Sequence, residues 1–355
     1  MTQLEKPAQG ASTARLTALD ATRALAIFGM IIVNVGSAES GGVPALIVTL
    51  LHGRAAILFI VLAGVGVTIL GASLRAKSAP LGRNLGWRAA VLLVLGLALQ
   101  QLPTGVNVIL MLYAALFVTA LAALRLPTGW LLSAAAVMTV LGPVIYIWLH
   151  SVLDLQGDAA AVGRPPLDSA TSILLTGPYP LIVWVAPFLF GMWLGRLDLR
   201  STAVHRLLIL SGALTALVCT LVSGILIWLM GEPDPDQIAA DHLLLAAGHS
   251  QMPLWLISAV GTAVLAIGLL LVVTPRLGRA AHPLIVTGQL ALTAYCLHLV
   301  AIAALVRPAS DNPHRGLLVS GAIIAMITVV CIVWRAFATR GPLEILLRLP
   351  NVLKR

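Results

Sequence analysis

Asp20 and Arg23 stand one helical turn apart at the mouth of an apolar run, LDATRALAIFGMIIVNVG, that closes on a lone amide, Asn34. An anchoring helix needs only apolar length. A polar amide inside such a run needs a partner, either a substrate or a neighbouring helix, and both readings stay open for Asn34. His52 precedes the next long apolar run and follows the apolar stretch VPALIVTLL. Its imidazole titrates near neutrality and is suited to act as a base, an acid or a transient acyl acceptor. With Asn34 it would share one pocket; the plainer alternative is an interfacial histidine facing water. Arg23, Arg83, Arg88 and Arg125 fall at run ends together with Trp87. Guanidinium groups grip phosphate bidentately and an indole stacks on a flat ring, although such residues also anchor helices at the interface.

Tyr295 and His298 sit three residues apart in ALTAYCLHLV and share a helix face. With Tyr179, at the start of another apolar run, they are candidates for lining a substrate path, or for bonding across helices. The chain has no HExxH, CxxC, GxSxG or Walker A sequence, so no metal site or soluble nucleophile elbow is expected. Cys219, Cys296 and Cys331 lie in apolar runs and read as small buried hydrophobes.

These residues must be held by helices in lipid. Of 355 residues, 59% are hydrophobic and 10% charged, with mean hydropathy +1.01; soluble domains carry about 25% charge. The apolar runs are continuous rather than alternating, which points to helices and away from a β-barrel. The expected fold is all-α, a polytopic bundle of about ten transmembrane helices. The spans fall near 19–36, 54–74, 87–102, 108–124, 130–149, 179–197, 207–230, 252–273, 284–306 and 316–337. Residues 1–18 read as a disordered tail, 19–338 as the membrane domain and 339–355 as a cationic tail on the membrane surface. The polar tail and Asp20 ahead of the first run argue against a cleaved signal peptide.

With this count both termini share a side. All of the 22 Lys and Arg except Arg54, Arg164, Arg307 and Arg315 then fall on it. That excess marks the cytoplasmic face. It also accounts for the net charge of +9 without nucleic acid, leaving anionic lipids and phosphate-bearing ligands as partners. No internal repeat of the inverted-transporter kind is visible.

Several segments, taken together, resemble one family. LDATRALAIFGMIIVN is similar to its opening "LDxxRGxAxxxMxxVN", with Ala24 in place of glycine. LFIVLAGVGVTIL and GWRAAVLLVLG resemble its second and third helices. TGPYPLIVWVAPFLFGMWLGRLDL is similar to "GxYPxxxWxxxxxxGxxxGR". GQLALTAYCLHLV resembles "GRMALTNYLLQ", with Gln289, Ala294 and His298 as departures, and GPLEILLR resembles "GPLEWLWR". The family is that of YeiB-type bacterial membrane proteins, related to heparan-α-glucosaminide N-acetyltransferase among the transmembrane acyltransferases.

The resemblance implies a multi-pass protein of the bacterial cytoplasmic membrane that moves an acyl group, acetyl by analogy. The donor is cytosolic acyl-CoA and the acceptor a sugar or envelope glycan on the outer side. No metal is implied, and a homo-oligomer is possible. Carried onto this chain, Asn34 matches the asparagine ending the first helix, His52 stands for the loop histidine, and Arg88 for the "WR" opening of the third helix. The expected roles are catalytic for His52 and Asn34, donor-binding for Arg23, Trp87 and Arg88, and path-lining for Tyr179, Tyr295 and His298. A transporter or lipid-path protein without covalent chemistry would use the same polar residues.

Overall fold

The computed structural model describes residues 16–35, 42–152, 171–234, 238–306 and 316–349. The tail before residue 16 and residues 36–41, 153–170, 235–237, 307–315 and 350–355 lie outside them, and with them Arg164, Arg307 and Arg315. Among the described residues the regular structure is all helical, with no strand. Lipid offers the backbone no hydrogen bonds, so each apolar run satisfies its own. Seven helical stretches are long and apolar enough to cross a membrane, and three shorter apolar helices, Leu110–Ala123, Leu181–Leu194 and Ala291–Val306, accompany them.

The order is α1 (Thr17–Val35), α2 (Gly42–Leu51), α3 (Arg54–Ala76), α4 (Leu81–Gln100), α5 (Leu110–Ala123) and α6 (Thr128–Val152). Then follow α7 (Leu181–Leu194), α8 (Thr202–Met230), α9 (Pro253–Leu277), α10 (His282–Gln289), α11 (Ala291–Ala301), α12 (Leu317–Phe337) and α13 (Pro342–Leu346). The stretch through α2 and α3 has 72% of its most apolar portion buried inside the protein, whereas α8 has 6%. So α3 is the central post of the bundle and α8 a rim helix with its apolar side outward.

Small residues set the tight crossings, as expected where packing rather than water exclusion joins helices. A methyl on Gly64 would strike the backbone of Phe188 and Met192, and one on Gly191 the backbone of Val61, so α3 and α7 touch backbone to backbone. Gly288 of α10 meets the backbone of Asp20 in the same way, pinning the start of α1.

Four local features differ from the sequence reading. The link before the second span is not all loop: α2 occupies Gly42–Leu51, and Gly53, at φ 73, turns the chain into α3. The basic loop 75–88 is short, because α4 begins at Leu81 after Pro80, with the Asn84 amide returning 2.9 Å to the Pro80 carbonyl; Arg83 and Arg88 are therefore helical. The span near 284–306 is broken at Leu290 into α10 and α11. The break is stable because Glu344 accepts the freed amides of Leu292 and Thr293 at 2.8 and 3.1 Å, and the Thr293 hydroxyl at 2.7 Å. Lastly, the described part of the tail folds back onto the bundle: Leu343 and Leu347 pack against the core.

Candidate functional site

Arg23 leaves the second turn of α1 with Asp20 2.7 Å from its guanidinium, and reaches α3, its Nη2 3.3 Å from the position a methyl would take on Gly66. Arg88 comes from α4, Arg335 from the end of α12, and Arg340 and Arg348 from the tail. These five arginines line one cavity of about 560 Å³. Small-molecule sites commonly hold about 300–1,000 Å³. One acid, Glu344, lines it as well, and its oxygens are taken up by α11. The Nε of Arg88 is buried with no hydrogen-bond partner among the described residues. A guanidinium kept in such a place costs free energy until an anion answers it. Deeper in, the walls become apolar and aromatic: Leu62, Leu92, Leu110, Phe117, Phe59 and Tyr113.

The deep end is closed by three rings. The Tyr113 hydroxyl donates to the Phe59 carbonyl at 2.7 Å, and the Phe59 ring lies 5.2 Å from that of Tyr113 and 6.1 Å from that of Tyr295. The Tyr295 hydroxyl accepts the Ile109 amide at 3.2 Å, tying α11 to the start of α5.

Behind this layer is a second, small pocket of about 30 Å³ lined by Asn34, Asn107, Tyr179, His249 and Tyr295, with Gly53 and Ala56 among its apolar walls. The levels of Arg23 and Asn34 are about 16 Å apart along α1, at 1.5 Å per residue. The Asn107 Oδ1 is buried and unpartnered among the described residues. His249 lies in the loop before α9 at φ 61, and Gln251 beside it at φ 65, conformations that non-glycine residues adopt at some cost. Gln251 holds the loop, accepting the Trp184 indole N–H at 2.8 Å and donating to the Pro178 carbonyl at 3.0 Å. The rings of Tyr179, Trp184 and Trp255 surround His249 at 5.6 to 5.8 Å. Burial, with a smaller contribution from His52, holds the His249 imidazole well below its ordinary range, so it is neutral at physiological pH.

The sequence-derived residues divide between these two places. Arg23 and Arg88 line the large cavity, whereas Arg83 and Arg125 are exposed and do not. Trp87 is also outside the lining; its indole donates to the Leu346 carbonyl at 2.7 Å, so it tethers the tail. Asn34, Tyr179 and Tyr295 meet in the small pocket. His298 is fully buried against Tyr295 and lines neither cavity. His52 is exposed and stands beside the small pocket, its ring 4.9 Å from that of His249. Sequence reasoning passed over Arg335, Arg340 and Arg348 as anchoring charges. It did not single out His249, and nothing in its spacing joins it to His52.

Fold and site together define a multi-helix membrane protein with an arginine-lined cavity entering the bundle from one end. Residues 192–352 match the model of a family described as proteins of unknown function, DUF418. The matched part supplies Arg335, Arg340, Arg348 and Glu344, and the unmatched part supplies Arg23, Arg88, Phe59 and Tyr113. No curated protein matches the chain.

Proposed function

We propose that this protein is a membrane-embedded acyltransferase. It takes an acyl group, acetyl first among candidates, from cytosolic acyl-CoA and gives it to a sugar or glycan acceptor on the outer side. The observation that carries the reading is the 560 Å³ cavity, basic at its mouth and apolar at depth, with a buried, unanswered guanidinium nitrogen on Arg88. Acyl-CoA has the same polarity: phosphates at one end and a thin acyl-bearing arm at the other. The arginines grip the phosphates and the arm points at the ring layer, behind which Asn34 stands as an amide donor for a tetrahedral oxyanion. Removing such a donor costs about 10²–10³ in rate. The termini and the arginines are cytoplasmic by the positive-inside bias, and the protein crosses the bacterial inner membrane about ten times.

The closed Phe59–Tyr113–Tyr295 layer also favours a second reading, a transporter open to one side. Full-length protein in native membranes, given acetyl-CoA labelled in the acetyl group, separates them. Label that leaves CoA for another molecule, with free CoA released, supports transfer. Binding of acetyl-CoA without any release supports the transporter.

A further inference from the structure

We infer that His249 is the base that faces the acceptor, and that His52 is the positioning residue that exchanges its proton with the outer water. This deepens the acyl-transfer reading and rests on it. Three observations carry the assignment. His249 lines the pocket that holds Asn34, Tyr179 and Tyr295, whereas His52 does not. The loop carrying His249 sits in a left-handed conformation, locked by Gln251. The two histidine turns interlock. A methyl on Gly248 would strike the His52 carbonyl, and one on Gly53 would strike the Trp255 ring and crowd the His249 amide. Only glycine at both places lets the imidazoles stand 4.9 Å apart. Non-glycine φ > 0 and backbone contact of this kind cluster where a side chain must be aimed.

The titratable neighbours of His249 are His52 from the turn between α2 and α3, Tyr179 from the segment before α7, and Tyr295 from α11. Among the described residues none of these neighbours is an acid, so the ring rests neutral, as a base must. In the step itself the acceptor hydroxyl or amine loses its proton to His249 as its oxygen or nitrogen bonds to the thioester carbonyl carbon. The tetrahedral oxyanion, held by Asn34, re-forms the carbonyl as the C–S bond breaks. CoA leaves as thiolate and takes a proton from the water on its own side. The proton on His249 passes to His52 and outward. The net change is an acyl-CoA and an alcohol or amine becoming an ester or amide and CoA thiol. The ring layer must part for the arm to reach the pocket.

The test uses full-length protein in native membranes, with acetyl-labelled acetyl-CoA added on the arginine-rich side and transfer followed over a pH series. His249→Asn keeps a side chain that tolerates the left-handed conformation, and His249→Gly keeps the backbone and leaves room for added imidazole. Both should lose transfer about 10²-fold or more while thermal stabilisation by acetyl-CoA persists, and imidazole should restore part of the rate in the glycine variant. His52→Gln should slow transfer and move its pH profile, because the proton on His249 then has no imidazole to pass to. Transfer within threefold of wild type in His249→Asn, or His52→Gln with an unmoved profile, overturns the assignment and leaves acyl transfer standing. A wild type that neither binds nor discharges acetyl-CoA removes the acyl-transfer reading, and the role of His249 with it.

Discussion

Arg88→Gln is the sharpest probe of the basic cavity. The side chain is half-buried, lines the cavity, and has its Nε without a partner among the described residues. Its loss should therefore cost the ligand-free protein little stability. Toward an anion the same change removes charge-assisted hydrogen bonds worth about 1.5–3 kcal/mol, or roughly ten- to a hundredfold in affinity. With acetyl-CoA at a hundred times its wild-type dissociation constant, wild type gains about 2.7 kcal/mol. The variant should gain about 1.4 kcal/mol if affinity falls tenfold and about 0.4 if it falls a hundredfold. Thermal unfolding of purified protein across an acetyl-CoA titration reads this directly. Arg125→Gln is the control, since Arg125 is exposed and outside the lining. Equal ligand-induced shifts in wild type and Arg88→Gln, at matched ionic strength, would refute the cavity as the anion site.

Glu344→Ala should lower the ligand-free Tm by removing about 2 kcal/mol, because three donors at the start of α11 lose their acceptor; an unchanged melting curve would argue against the break at Leu290. Gly191→Leu should abolish monodisperse protein on gel filtration, since its side chain meets the Val61 backbone, whereas Gly224→Leu, with open space around it, should behave as wild type. Stability should depend on pH through His249. Its folded pKa is depressed, so the unfolded ring takes up a proton near pH 6.5 that the folded ring refuses. Stability is then full above that pH and declines as pH falls below it. His249→Asn should have a shallower acid slope of Tm against pH, and a slope equal to wild type would show that other groups set it.

Much of the architecture was written in the order of residues. Continuous apolar runs can satisfy their backbones in lipid only as helices, so composition and run length were enough for an all-helical membrane protein and for the approximate place of the long apolar helices. The break at Leu290 was not legible, because it depends on Glu344, far along the chain, capping the exposed amides. Nor was α2, whose apolar residues suit a loop dipping into lipid as well as a helix.

The sequence by itself also marked Arg23, Arg88 and Asn34, since a charge or amide beside apolar residues is conspicuous wherever the chain puts it. Which of the many arginines share one cavity was decided by the tertiary structure alone: α12 and the tail bring Arg335, Arg340 and Arg348 to meet residues from α1 and α4. The same holds for the meeting of His52 and His249, which depends on two glycine turns packed together across the fold. Local composition reports what a residue can do. Only packing between distant segments fixes what it faces, because those contacts depend on how helices cross and not on neighbours in the chain.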